Sequence, residues 1–198
     1  MQKISSRFFP NLPRFAQISN SHCGPATLSM LLANLGVKVR QKDIVPAAKL
    51  TVKKINDFGV TVWELAEATK KLSNFDFWMK DNATIQEINK LITKHNCPVA
   101  VEWQGEFLQY GDDDSGHYSV VTEISKKDNS IYIADPYKHF SGKDRKLKLT
   151  RFQELWWDIN EIKNPATKKL ELIKDYHLIF IIIPKGATFP IDLGMELL

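Results

Sequence analysis

Only two of the 198 residues are cysteine, which excludes the disulfide framework that staples small secreted domains. Long apolar runs are missing as well: nothing approaches the roughly 18 residues that a membrane-spanning helix needs. The longest candidate, Leu178-Ile179-Phe180-Ile181-Ile182-Ile183, stops at Pro184 and reads as a buried strand. Met1 to Pro10 lacks the apolar core of a signal peptide, so the expected compartment is the cytoplasm, although a secreted form with its leader removed has the same sequence. Dense charge of one sign is absent. The formal net charge is +4 and the compact run Lys143-Asp144-Arg145-Lys146-Leu147-Lys148 is broken by an acid and a leucine, which suits a solvated edge strand better than a nucleic-acid face. What remains, 43% hydrophobic and 25% charged, is the make-up of a single folded domain with a sizeable core.

The first of the two cysteines carries the most information. Cys23 lies in Ser19-Asn20-Ser21-His22-Cys23-Gly24-Pro25-Ala26, ahead of the apolar-rich run Thr27 to Leu35 and then Gly36. Small polar residues stand where a helix N-cap belongs, Pro25 falls in the first turn where its missing N–H costs nothing, and Gly36 marks the stop. Cys23 is therefore expected in the first turn of a buried helix, where unpaired backbone N–H groups and the positive end of the dipole favour a thiolate.

Two later segments supply partners. Gly116 to Ile124 reads as a strand opening at His117, and Ser130 to Asp135 as a second strand ending at the carboxylate, with turn chemistry in Lys126-Lys127-Asp128-Asn129 between them. In an antiparallel hairpin the start of one strand lies beside the end of the next, so His117 and Asp135 should meet at one edge. An aspartate there can orient an imidazole and stabilise its protonated form. Gln17, six residues before Cys23, is placed to offer an amide N–H to a developing oxyanion, jointly with the Cys23 backbone N–H.

Gln17, Cys23-Gly24-Pro25-Ala26, Gly116-His117-Tyr118 and Ala134-Asp135-Pro136, in that order and at those spacings, resemble the signature of the bacteriocin-processing peptidases, a papain-like group that cleaves leader peptides after a double glycine. The resemblance extends over most of residues 14–185. It implies a papain-like α+β fold with Cys23 as nucleophile, His117 as general base and acid, Asp135 orienting the histidine and Gln17 donating to the oxyanion. It implies no cofactor and no metal, and a peptide or protein as substrate. Family members with transport roles are fused to an exporter and an ATPase; with no spanning segment in this sequence, the double-glycine specificity and the export role are not expected to carry over.

The remaining elements follow from pattern. Residues 1–13 are expected to be an extended segment, with Pro10 and Pro13 against a helix, and 186–198 a tail around a single domain over 1–198. Gln41 to Val45 opens a short helix. Thr61-Val62-Trp63-Glu64 and Thr84-Ile85-Gln86-Glu87 carry capping-box spacing, the first for a helix to about Leu72 with Leu65, Ala68, Thr69 and Leu72 inward, the second for one to about His95 with Ile85, Ile88, Leu91 and Ile92 inward. Cys97 to Trp103 reads as a central strand with Pro98 at its start. Residues 104–115 form a loop overhanging the site. Lys146 to Thr150 alternates as a half-exposed strand, Thr150-Arg151-Phe152-Gln153 repeats the capping pattern, and the Ile179 strand closes the sheet. The layout is α+β, an N-terminal helical part with the nucleophile helix packed on a C-terminal antiparallel sheet, and a peptide-sized cleft between them.

Other readings stay open. The same Cys-His-Asp set serves acyl transfer, deamidation or amide hydrolysis on non-peptide substrates, and a third reading is a non-catalytic module that binds peptides without cutting them. A metal held by Cys23, His117 and Asp135 would want a fourth ligand that no paired Cys/His spacing supplies. Cys97 reads as core. His22, next to Cys23, is a less favoured second base because neighbouring side chains at a helix start diverge. Asp112-Asp113-Asp114 reads as a solvated loop tip or a recognition element for a basic substrate segment, Trp156, Trp157 and Phe140 as packing, and Asn82-Ala83-Thr84 as a helix cap. Oligomeric state has no signature.

Overall fold

The computed structural model describes residues 8–107, 116–163, 167 and 169–198. The helical part comes first: α1 (Cys23–Asn34), α2 (Gln41–Ala47), α3 (Val52–Phe58) and α4 (Val62–Leu72), then β1 (Phe75–Lys80) and α5 (Ile85–His95). The sheet strands β2 (Val99–Gln104), β3 (Gly116–Ser125), β4 (Ser130–Ala134) and β5 (Asp144–Lys148) follow, then α6 (Leu149–Leu155), β6 (Trp157–Lys163), β7 (Leu170–Tyr176), β8 (Ile179–Pro184), α7 (Phe189–Asp192) and β9 (Glu196–Leu197). Seven strands form one antiparallel sheet in the order β5-β4-β3-β2-β8-β1-β9, and β6 and β7 form a separate hairpin. The α+β expectation holds.

Local chemistry explains the boundaries. Helix α1 ends in a Schellman arrangement: Gly36, at φ +84°, lets its own N–H reach Ala33 O at 3.0 Å while the Val37 N–H reaches Leu32 O at 2.9 Å. Both expected capping boxes form, Thr61 with Glu64 and Thr84 with Glu87, and α5 closes on Asn96 in the left-handed region. The apolar face of α4 (Leu65, Ala68, Thr69) is buried, as are Ile88, Leu91 and Ile92 of α5. Helix α1 lies across the sheet against β3, and α5 packs on β3 and β2.

Five expectations need correction. The Ile179 strand does not close the sheet: β8 lies between β2 and β1, which is where a strand apolar on both faces belongs, and the sheet's two edges are β5 and β9. Residues 186–198 are more than a tail, since α7 and the edge strand β9 lie there and Met195 and Leu193 join the core. Residues 8–13 are pinned rather than simply extended, with Phe9 and Leu12 buried and a tight turn from Leu12 N–H to Phe9 O at 3.2 Å. Helix α6 starts at Leu149, so Thr150 is inside it and makes no capping box; Lys148 precedes it without a side-chain cap. Within the basic run, Asp144 and Arg145 are not a solvated surface: Asp144 takes a two-pronged ion pair from Arg14 at 3.1 Å per prong, and Arg145 turns inward. An ion pair supplied from 130 residues upstream leaves no local signal.

Candidate active site

The first turn of α1 brings Cys23 to the sheet at the start of β3. Its N-cap is His22, whose side chain makes no capping bond, contrary to the small polar cap expected; Ser19 Oγ instead lies 2.6 Å from His22 Nδ1, and Ser21 Oγ donates to Asn56 O at 3.4 Å. The Cys23 backbone N–H finds no acceptor among the described residues and remains available at the positive end of the helix. Pro25 has no N–H to satisfy, and Gly24 lets the helix sit against the sheet: a Cβ there would stand 2.4 Å from Val60 Cγ1 and 3.2 Å from Tyr118 Cδ2.

His117 and Asp135 meet as the hairpin required. His117 Nε2 lies 2.8 Å from Asp135 Oδ1, and both side chains are all but fully buried. With Nε2 directed at the carboxylate, Nδ1 is the nitrogen left for Cys23, which lines the same cleft and is close enough to act on the charge of the imidazole. Burial by itself would lower the histidine's pKa, but the charge and hydrogen bond of Asp135, joined by those of Cys23, outweigh it and lift the imidazole to about 10. Burial opposes ionisation of Asp135, yet the His117 charge, the His117 hydrogen bond, the Tyr137 N–H at 2.9 Å and Arg145 together hold its carboxyl below the usual value. The resting state is therefore an imidazolium facing a sulfur and backed by a carboxylate.

Several contributors had no signal in the sequence. Arg145 from β5 donates to Asp135 Oδ2 at 3.1 Å and to the Glu106 carbonyl at 2.7 Å, and its guanidinium lies 4.0 Å over the Phe140 ring. Trp103 and Phe107 flank the His117 ring edge-on, with centroids at 6.2 and 5.0 Å, and Trp103 Nε1 donates to Ser119 Oγ at 3.2 Å. Trp103 sits opposite His117 in the β2–β3 register, so only strand pairing reveals it.

Gln17 is at the cleft, and its backbone N–H donates to Pro136 O at 2.8 Å, tying the approach to α1 to the end of β4. Its amide Nε2 donates to the carbonyls of Ser19 at 2.8 Å and Asn20 at 3.0 Å, so in this state neither N–H is free for another acceptor. His22 does not line the cleft. Cys97 is core, with burial pushing its thiol up to about 12. Asp112-Asp113-Asp114 and most of the 104–115 loop lie outside the described residues. Among the described residues no cluster of three His, Cys, Asp or Glu is set to hold a metal ion, and no helix is long and apolar enough to cross a membrane.

A thiol, an imidazole and a carboxylate in line, at the head of a cleft of about 950 Å³ that also carries Gln17, Phe107, Tyr137 and the β6–β7 hairpin residues Ile159 and Leu172, suit nucleophilic attack on a carbonyl. Comparison with known proteins agrees in fold. A putative C39-like peptidase from Bacillus anthracis superposes at TM-score 0.65 with 16% identity over 94% of this chain and 100% of that one. A double glycine motif protease from an AMS/PCAT transporter, solved with its leader peptide, gives 0.59 with 15% identity over 93% and 100%. The peptidase domain of Streptococcus ComA, a bifunctional ABC transporter of a quorum-sensing pathway, gives 0.56 with 21% identity over 86% and 97%. An uncharacterized protein of Methanothermobacter marburgensis is 29% identical over 120 residues, 61% of this chain and 68% of its own. The fold is thus that of papain-like cysteine peptidases, and with its family model matching residues 9–164, the chain belongs to the Peptidase_C39 like family.

Proposed function

We propose that the protein is a cysteine peptidase acting through a Cys23-His117-Asp135 triad and a thioester intermediate. The sulfur of Cys23 attacks the scissile carbonyl carbon. The tetrahedral oxyanion is held by the Cys23 backbone N–H, joined by Gln17 once substrate draws its amide away from the Ser19 and Asn20 carbonyls. His117 gives its proton to the leaving amine, and the acyl group stays on sulfur as a thioester. His117, now neutral, takes a proton from water, whose oxygen displaces the sulfur from the acyl carbon, releasing the acid product and leaving free Cys23 beside a protonated His117. Asp135, fixed by Arg145 and the Tyr137 N–H, keeps Nε2 of the ring engaged so that Nδ1 faces the reaction. The single observation that carries this reading is that Cys23 and His117 line the head of one open cleft with the Asp135 carboxylate bonded to the far side of the imidazole.

Profiling a peptide library by mass spectrometry tests it. The parent should give discrete cleavage products through an acyl-enzyme at Cys23, and Cys23→Ala should lower the rate by about a thousandfold or more. Equal cleavage by parent and variant would end the reading.

A further inference from the structure

The cleft has an acidic floor that this chemistry leaves idle. Glu102, Tyr118, Asp158 and Asn160 line it beside Cys23 and His117. Glu102 and Tyr118 are directly opposite each other on β2 and β3 and so share a face; Asp158 and Asn160 are two residues apart on β6 and reach in from the hairpin. Asn160 Nδ2 donates to Glu102 Oε2 at 3.3 Å and to Asp175 Oδ2 of β7 at 2.9 Å, and Gln104 Nε2 donates to Asp158 Oδ1 at 2.7 Å. Gly116 keeps this end open to the triad, since a Cβ there would lie 2.6 Å from both Asp158 oxygens.

All three carboxyls are buried, and among the described residues no Lys, Arg or His is ion-paired with Glu102 or Asp175. Burial first, then the Asp158 charge, holds the Glu102 carboxyl well above the usual carboxylate range. The Tyr118 hydroxyl, on a side chain more than nine-tenths buried, makes no hydrogen bond of good geometry and has Glu102, directly opposite, as the acceptor within its reach. After burial, what opposes its ionisation is Glu102, Asp158 and Cys23, so the oxygen sits among three groups that line the cleft. Glu102 and the Tyr118 hydroxyl at the floor of an open cleft suit a ligand that brings positive charge and several N–H donors; an apolar or anionic occupant would leave Glu102 desolvated without a counter-charge. Neither lysine of the cleft is bonded to Glu102: Lys54 at the rim is ion-paired with Glu64, and Lys138 comes from the segment after β4.

We propose that Glu102, Asp158 and the Tyr118 hydroxyl form a subsite for a cationic side chain of the substrate, lysine or arginine. The proposal takes its substrate class from the peptidase reading, while the pocket's preference for a cation stands on its own residues. The groups facing Glu102 are Tyr118 of β3, Asp158 and Asn160 of β6 and Asp175 of β7. Empty, the pocket keeps a proton on Glu102; a bound cation expels it, so affinity for a cationic group should increase with pH as that proton is lost.

Binding is tested on the Cys23→Ala protein by NMR titration with Nα-acetyl-arginine amide and Nα-acetyl-norleucine amide. The arginine derivative should bind roughly tenfold or more tightly, with a gap that narrows as pH falls. Glu102→Gln should close most of the gap, and Asp158→Asn, an independent variant in case the first misfolds, should do the same, with folding followed by circular dichroism. Equal binding of the two derivatives at every pH, or an undiminished gap in both folded variants, overturns the subsite. Cleavage of matched peptides carrying Arg or norleucine near the scissile bond separates the two ideas. A parent that cuts both alike overturns the subsite and leaves the peptidase standing, whereas a cation gap in binding without cleavage keeps the subsite and removes the peptidase.

Discussion

At the scale of single residues, the balance of forces on His117 decides what the site is at rest. Desolvation of a wholly buried imidazolium is the largest effect on it, and the nearby Asp135 and Cys23 overcome that effect together. The linkage has a definite sign. His117 is raised from 6.5 to about 10, so the stability it contributes is complete below 6.5 and is lost as pH climbs through about 10. Asp135 is depressed below 3.8, so its contribution is present above 3.8 and goes only in stronger acid. Urea unfolding of the parent should therefore weaken between pH 6.5 and 10 by on the order of a few kcal/mol, since a tenfold change in a proton equilibrium is about 1.4 kcal/mol. His117→Gln, less stable at pH 6, should lack that decline. Parallel stability profiles for parent and variant across this range would show that the imidazole is not held in its charged form.

At the scale of elements, the seat of α1 on β3 is set by a missing side chain. Gly24→Ala gains up to about 1 kcal/mol of helix propensity, less in a first turn. Against that stands a Cβ 2.4 Å from a buried Val60 methyl, an overpacking of about 1–3 kcal/mol. The overlap should win. Urea midpoints should fall, and because Cys23 is the neighbouring residue, its alkylation by iodoacetamide should change as well; a more stable variant with unchanged alkylation would show that the helix has room to spare. The sequence displayed Gly24 as part of a Cys-Gly-Pro cluster but not what it touches. The same divide runs through the whole fold. Thr61, Thr84, Gly36 and the hairpin from Gly116 to Asp135 were legible because their signals are local: a cap three residues from its partner, a φ only glycine takes easily, a turn between alternating strands. Helix α3, strand β1 and the β6–β7 hairpin were not read. Val52–Phe58 spans only two turns, and Phe75–Lys80 and Leu170–Tyr176 mix charge and apolar residues without a buried alternation. Arg145, Trp103 and the acidic floor escaped because each depends on a strand neighbour or a segment far along the chain.

At the scale of the whole molecule, the core cluster runs from Phe9 to Met195 and joins the helical part to the sheet through α1, β2 and β8. Such a core should open as one unit, and Cys97 reports whether it does. It sits between the left-handed Asn96 cap of α5 and the central strand β2, with its N–H on Leu91 O at 3.0 Å and its thiol pushed up to about 12 by burial. Exposing that sulfur means parting α5 from β2, the middle of the sheet. In the Cys23→Ala background Cys97 is the only thiol left, so iodoacetamide labelling at pH 8 follows one residue. If the molecule opens cooperatively, the labelling rate in water lies below that of a free thiol by the unfolding equilibrium constant, and its logarithm rises with urea along the slope of equilibrium unfolding. Labelling that ignores urea at low concentration would mean that α5 and the β2 edge part locally while the rest of the sheet stays closed. Cys23, His117 and Asp135 would then ride on a sheet from which α5 lifts independently, and single-transition stability differences between variants would lose their meaning.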